Sequence, residues 1–137
     1  MSESARVVID NNILISRLLL PSSLPAQAVH KALATGQPLT SRTMLEELAA
    51  VLARPRFDKY VSVDERRDFL RYWMRIAVII EPGSLIEVCR DPKDNHVLEA
   101  AVNGSAAVVL TGDNDLLALD PFHQIRVLRP ADYLKDL

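Results

Sequence analysis

AAVVLTGDND, residues Ala106–Asp115, is a run of five apolar residues followed at once by a polar turn. A short apolar run that is rich in β-branched residues and ends at a turn is typical of a strand buried on both faces. RVVIDNN, residues Arg6–Asn12, has the same form. These two stretches predict buried strands that are each followed by an acidic residue, Asp113 in the first and Asp10 in the second.

Strand-like and helix-like patterns alternate along the whole chain, which has no internal repeat, low-complexity tract or linker. Such alternation predicts a three-layer α/β/α fold around a central parallel sheet, with right-handed crossovers. A length of 137 residues fits one domain, so we expect a single unit over residues 1–137. The predicted strands are Arg6–Asp10, Pro38–Thr40, Ala77–Ile80, Leu85–Val88, Ala106–Leu110 and Ile125–Leu128. The predicted helices are Asn11–Leu20, Ser23–Thr35, a segment from Ser41 or Thr43 to Ala53, Val63–Ile76, Asp94–Asn103, Asp115–Leu119 and Ala131–Asp136.

Hydroxyl side chains mark the starts of the third and fourth helices. Ser41 or Thr43 precedes the third helix, and Thr43 with Glu46 has the spacing of a capping box, in which each side chain bonds the other residue's backbone N–H. Ser62 and Glu65 have the same spacing before the fourth helix. Each pair therefore predicts a helix start.

Composition excludes several classes of protein. The chain is 49% hydrophobic and 25% charged, as in a globular rather than a disordered protein. Cys89 is its one cysteine, so no internal disulfide can form and a reducing compartment fits. The first residues, MSESAR, are polar and carry Glu3, unlike a signal peptide. No apolar run reaches the ~20 residues that span a bilayer, so we expect a cytoplasmic protein without membrane contacts.

The positive charges are unevenly spread. The net charge is −2, yet seven of the 16 basic residues fall within 22 positions. This cluster of basic residues has two interpretations: it forms a solvated helix face, or it forms a surface that faces the phosphates of a nucleic acid. The seven residues are Arg54, Arg56, Lys59, Arg66, Arg67, Arg71 and Arg75.

Acidic residues occur where a parallel sheet can gather them. Ligands of open α/β sheets bind beyond the carboxyl ends of the strands. Carboxylates brought together there repel one another unless a cation neutralises them, so at least one is expected to have a raised pKa. Oxygen ligands without histidine or cysteine suit Mg²⁺ or Mn²⁺. Taken singly, each of Asp10 and Asp94 has a helix N-cap as its alternative interpretation. The acidic residues are Asp10, Glu46, Glu47, Asp91, Asp94, Asp113 and Asp115.

Four segments resemble the PIN-domain family, and more narrowly the PIN-type toxin components of bacterial toxin–antitoxin systems. They are VVIDNNILIS, LEELAAVLARPRF, RDPKDNHVLEAA and VVLTGDNDLL, in the family's order and over nearly the whole chain. The resemblance implies a small α/β/α nuclease that uses Mg²⁺ or Mn²⁺ to hydrolyse RNA, leaving a five-prime phosphate and a three-prime hydroxyl. It also implies an antitoxin protein as a partner and admits a homodimer.

The resemblance assigns roles to single residues. The catalytic and metal-binding set implied is Asp10, Glu47, Asp94 and Asp113. Asn12 and Asp115 are implied as substrate-binding helpers, and Thr111 fits either that role or that of a turn-making hydroxyl. Glu47 is preferred to Glu46 on the resemblance alone, because both glutamates lie off the buried stripe of their helix. Asn11 stands where the family usually has threonine.

Other functions stay open on the residues alone. A different Mg²⁺-dependent phosphoryl-transfer domain would use one strand-end aspartate as a nucleophile. A receiver-like domain also needs a late lysine, and none lies between Lys93 and Lys135. A catalytically silent PIN-like module that binds RNA or a protein is a third class. The three histidines, His30, His96 and His123, lack metal-ligand spacing and read as structural.

Overall fold

Five parallel strands form the central sheet of the computed structural model, which describes residues 5–135. The strands are β1 (Ala5–Ile9), β2 (Gly36–Ser41), β3 (Val78–Ile80), β4 (Val108–Leu110) and β5 (Arg126–Leu128). Their spatial order is β3-β2-β1-β4-β5. The parallel α/β architecture predicted from the sequence is thus confirmed.

The strand order reverses between β1 and β4. From β1 the chain builds outward through β2 to β3, then crosses to the opposite side of β1 and continues through β4 to β5. At this point Ile9 is paired with Leu110, and the N–H of Asp10 donates to the carbonyl of Leu110 at 2.9 Å. In open α/β sheets, a crevice for ligands opens at such a reversal.

Helices cover both faces of the sheet. The helices are α1 (Asn11–Leu19), α2 (Leu24–Thr35), α3 (Arg42–Leu52), α4 (Val63–Ile76), α5 (Pro92–Asn103), α6 (Asn114–Leu117) and α7 (Pro130–Lys135), with a 3₁₀ turn at Pro55–Phe57. One face carries α1, α2, α4 and α7, and the other carries α5 and α6, while α3 contributes side chains to both sides.

The two-sided core follows from the period of a strand. Successive side chains point to opposite faces, so Val7 and Ile9 pack under α1 and α2 whereas Val8 packs under α5. All three side chains are fully buried. Burial of a side chain of this size contributes about 1.5–3 kcal/mol, and the strand that carries Asp10 is therefore held firmly from both sides.

The predicted starts of α3 and α4 agree with the structure. Ser62 and Glu65 form the predicted capping box of α4. Of the two caps predicted for α3, Ser41 is confirmed, because it accepts the N–H of Met44 at 3.2 Å, and the alternative capping box of Thr43 and Glu46 is wrong.

Helix α5 begins earlier than predicted. Asp91 is its N-cap and Pro92 occupies the first turn, so the helix starts two residues before Asp94. A proline fits there because the first-turn N–H groups have no partner within the helix. Asp94 is consequently a residue of the first turn, and the capping role belongs to Asp91.

The predicted strand Leu85–Val88 is wrong. This segment forms no strand, and Leu85 and Val88 are 77% and 59% exposed. After β3 the chain turns away at Pro82-Gly83, and Ser84 exchanges two hydrogen bonds with the side chain of Asn103. Apolar composition alone does not make a strand where the chain leaves the sheet.

Two predictions reach beyond the described residues. Glu3 of the N-terminal segment and Asp136 of the terminal helix lie outside residues 5–135. Within the described part of the chain, no helix is both long and apolar enough to cross a membrane.

Candidate functional site

A cavity of about 380 Å³ opens beyond the carboxyl ends of β1 and β4. Apolar side chains form part of its wall, among them Ile15, Met44 and Val97. Its charged lining combines acidic and basic side chains: Asp10, Glu47, Asp91, Asp94 and Asp113, with Arg54, Arg56 and Lys93. The four acids predicted as metal ligands thus line one cavity, while their chemical role stays a prediction.

Asp10 is held at the bottom of this cavity. The residue is 8% exposed, and its Oδ2 accepts the hydroxyl of Thr111 at 2.7 Å. Its carbonyl accepts the first N–H groups of α1, but its side chain makes no cap bond. Burial raises the pKa of Asp10, the charge of Asp113 raises it further, and the Thr111 bond opposes both. The backbone N–H groups of Asn12 and Asn11 also lower the pKa of this carboxyl, so it retains a weak interaction with the start of α1.

Thr111 joins the two strand ends. It is fully buried, its hydroxyl donates to Asp10, and its oxygen accepts the N–H of Asp113 at 3.0 Å. These contacts agree with the turn-making alternative, while the predicted contact of Thr111 with substrate stays a prediction. Its observed effect is to orient Asp10 relative to Asp113.

Asp94 enters the cavity from the first turn of α5. It is 7% exposed, and its pKa is raised to about 6. The largest cause is burial, followed by the charges of Asp113, Asp91 and Asp10. Asp94 and Asp10 thus both have the raised pKa expected of at least one clustered carboxyl, with burial as the larger cause and repulsion between like charges as a smaller one.

Asp113 and Asp115 occupy the start of α6. Asp113 is its N-cap and accepts the N–H of Asp115 at 2.8 Å. One carboxylate oxygen each of Asp94, Asp113 and Asp115 lies within 4.8 Å of the others. Asp115 is more exposed and also forms an ion pair with Arg90 at 3.0 Å. This compact group contains two of the predicted ligands and adds Asp115, which the sequence suggested only as a substrate-binding helper.

Glu47 and Glu46 are separated by the helix they share. Met44, Glu47 and Val51 lie on the side of α3 that lines the acidic cavity. Glu46 is exposed and lines a different hollow with Met74. The position of Glu47, which helical periodicity left undecided, thus agrees with the choice made on resemblance.

His96 is a residue that sequence reasoning missed. Its Nδ1 forms a hydrogen bond with Oε1 of Glu47, between helices α5 and α3. The two residues are 49 positions apart in the sequence, so no local sequence pattern predicts the contact. The structural interpretation of His96 is incomplete, because it contacts one of the predicted ligands.

The two asparagines at the start of α1 behave differently. Asn11 donates from its side-chain amide to the carbonyl of Met44 at 2.9 Å and so ties α1 to α3. Its Oδ1 is buried and has no hydrogen-bond partner among residues 5–135. Asn12 is exposed at the cavity, where its predicted contact with substrate stays a prediction.

The basic stretch splits into separate parts. Arg66 is 4% exposed and donates to the carbonyls of Leu52 and Arg54 and to Oδ1 of Asp58. Arg54 and Arg56 line the acidic cavity, whereas Arg67, Arg71 and Arg75 are exposed along α4. A single basic surface over Arg54–Arg75 is therefore wrong, because Arg66 points inward to hold the chain between α3 and α4.

Known proteins resemble this chain in sequence and in fold. The family model described as PIN domain matches residues 6–115. The uncharacterized protein MJ1680 of Methanocaldococcus jannaschii is 33% identical over 116 residues, which are 83% of this chain and 74% of that protein. A chain of VapBC2 from Rickettsia felis, solved bound to a DNA fragment from their promoter, aligns with a TM-score of 0.62. That alignment covers 90% of this chain and 98% of the other at 11% identity, a likeness of fold alone.

Proposed function

Since this chain belongs to the PIN-domain family, we propose that it is an endoribonuclease that depends on Mg²⁺ or Mn²⁺ and serves as the toxin of a toxin–antitoxin pair. One observation carries the proposal: Asp10, Glu47, Asp94 and Asp113 line a single cavity where the strand order reverses. These four residues are the proposed metal ligands and catalytic groups. Asp115 lies close enough to Asp94 and Asp113 to complete the set.

The residues of the cavity fit a divalent cation of this kind. The donors are all oxygens, the ligand type that Mg²⁺ and Mn²⁺ prefer. Burial and mutual repulsion raise the pKa of Asp10 and Asp94, and a bound cation would relieve both effects. The buried Oδ1 of Asn11 is a further acceptor in the same lining, without a partner among residues 5–135. When bound, the metal would supply an acidified water molecule and charge stabilisation for phosphodiester hydrolysis.

The protein's own residues prepare that chemistry. Thr111 fixes one oxygen of Asp10, and the Asp91 cap fixes the start of α5 so that Asp94 faces the cavity. Asp10 and Asp94 are themselves nearly buried, and low exposure to water strengthens the electrostatic interactions of their carboxylates.

Basic residues around the cavity fit an RNA backbone. Arg54, Arg56 and Lys93 are exposed and line the same cavity as the acids. We assign them to the phosphates that flank the cleaved bond, because such contacts release counterions and favour a polyanion. We also assign Asn12, which lines the same cavity, to a contact with the RNA. Single-stranded or looped RNA is the proposed substrate, since its backbone can enter a recessed site more readily than a duplex.

An antitoxin protein is the proposed partner. Support comes from the sequence resemblance to toxin components and from the fold shared with a chain of VapBC2. We propose that the partner inserts a peptide segment near the acidic cavity and thereby blocks access of RNA.

A cleavage assay on mixed RNAs tests the proposed activity. Wild-type protein is expected to cleave with Mn²⁺ or Mg²⁺, to stop when a chelator is added, and to recover when metal is restored. Asp94→Asn is expected to abolish cleavage because it keeps the shape and removes a charged ligand. Asp132→Asn, at an exposed site on α7, is the matched control and is expected to cleave normally. Cleavage that survives the chelator or the Asp94 change contradicts the proposal.

A further inference from the structure

His96 stands beside the acidic cavity and yet contacts one of its acids. Helix α5 directs Asp94 and Val97 toward the cavity. Two residues along a helix turn the side chain by about 200°, and His96 accordingly lines a separate hollow with Ala100 and Asn103. From that side, its ring reaches across to Glu47 on α3.

Glu47, a proposed metal ligand, has a long and flexible side chain. A glutamate has three rotatable side-chain bonds and samples many positions when it is free. In this structure its Oε1 is engaged by Nδ1 of His96. Since a carboxylate oxygen can only accept, the Nδ1–H group of the histidine is the donor. Both side chains are partly buried, with 31% of His96 and 21% of Glu47 exposed, so the contact is only partly open to water.

We propose that His96 is a positioning residue whose Nδ1–H holds Oε1 of Glu47, so that the second oxygen of this carboxylate is presented to the divalent cation of the cavity. The inference rests on the proposed function, because only there is Glu47 a metal ligand. Groups that orient ligating side chains from outside the ligand set matter for affinity: their loss costs about ten- to a hundredfold in metal binding.

Two other roles for the contact make different predictions. As a simple link between α3 and α5, His96 would affect stability without affecting metal affinity. As a competing positive charge, it would weaken metal binding, so its removal would strengthen affinity for Mn²⁺. The positioning role alone predicts that removal of His96 weakens Mn²⁺ binding while the fold persists.

Calorimetric titration with Mn²⁺ alone, without RNA, separates these roles. His96→Ala is expected to raise the Kd for Mn²⁺ by about tenfold or more. His96→Asn should recover most of the loss, because its amide N–H takes nearly the place of the Nδ1–H. In RNA cleavage at saturating metal, His96→Ala should reduce kcat with little change in KM, because the residues proposed to bind RNA are unaltered. Glu99→Gln, one turn further along α5 and in the same hollow as His96, is the matched control and should bind Mn²⁺ as wild type does.

Every outcome decides for or against the positioning role. The positioning role is overturned if His96→Ala binds Mn²⁺ as tightly as the wild type or more tightly. It is also overturned if Glu47→Gln binds Mn²⁺ as tightly as the wild type. His96→Leu keeps apolar bulk without a donor and should behave like His96→Ala. Loss of folded protein in both variants would mark the contact as a structural link and overturn the proposal as well. Failure of the wild type to bind Mn²⁺ would instead contradict the proposed function itself.

Discussion

Arg66 and Asp94 are both buried charged residues, and their surroundings are opposite. Arg66 is surrounded by acceptors, with two carbonyls and the Asp58 carboxylate in hydrogen-bonding contact. Asp94 is surrounded by the like charges of Asp113, Asp91 and Asp10. A buried charge that the protein itself satisfies holds the fold together. A buried charge that its neighbours repel destabilises the fold unless it is neutralised, and a cation is the proposed means of neutralising Asp94.

The largest expected effect comes from breaking the satisfied charge. Arg66→Met should lower the free energy of unfolding by about 2–5 kcal/mol, because it leaves the carbonyls of Leu52 and Arg54 without their donor. Urea denaturation measures this change. Arg67→Met, at the neighbouring exposed position, is the control and should stay within about 0.5 kcal/mol of wild type. Equal stability of the two variants would contradict the structural role assigned to Arg66.

The unsatisfied charge should behave in the opposite way. The pKa of Asp94 is raised from 3.8 to about 6. A raised pKa contributes stability that is fully present below pH 3.8 and is lost as the pH rises through about 6. In metal-free protein at pH 7, Asp94→Asn should therefore stabilise the fold, by up to about 3 kcal/mol, since one pH unit corresponds to about 1.4 kcal/mol.

Denaturation from pH 4 to pH 7 in the presence of a chelator measures this effect. The stability of the wild type should fall between pH 4 and 6 more steeply than that of Asp94→Asn. Asp132→Asn, which changes an exposed carboxyl, should follow the wild type. If Asp94→Asn is less stable than the wild type at pH 7, the charge of Asp94 does not destabilise the folded protein, and this part of the account is wrong.

The smallest expected effect concerns the exposed arginines. Replacement of Arg54 and Arg56 together by Gln should weaken RNA binding by about tenfold and reduce its dependence on salt by roughly one unit of slope per arginine. Binding is measured in Ca²⁺ to prevent turnover. The matched pair is Arg67→Gln with Arg71→Gln, which removes the same charge from α4. Equal weakening by both pairs would show that only net charge matters.

The sequence could predict strand ends because they are local. Apolar runs before Asp10 and Asp113 signal two buried strands, and a parallel sheet brings such ends to one edge. The paired contact of His96 with Glu47 was out of reach, because it depends on how α3 and α5 pack. The inward direction of Arg66 was equally hidden among its basic neighbours. Exposure of Leu85 and Val88 also follows from where the chain leaves the sheet, which composition does not encode.

Stability in the presence of Mn²⁺ tests the central claim most directly, that the repelled carboxylates form a cation site. A ligand that binds only the folded state at a hundredfold its Kd stabilises the protein by about 2.7 kcal/mol. Wild-type protein at pH 7 should show a gain of this size in urea denaturation, and Asp94→Asn should show almost none. No gain in the wild type, or an equal gain in both proteins, would contradict the account.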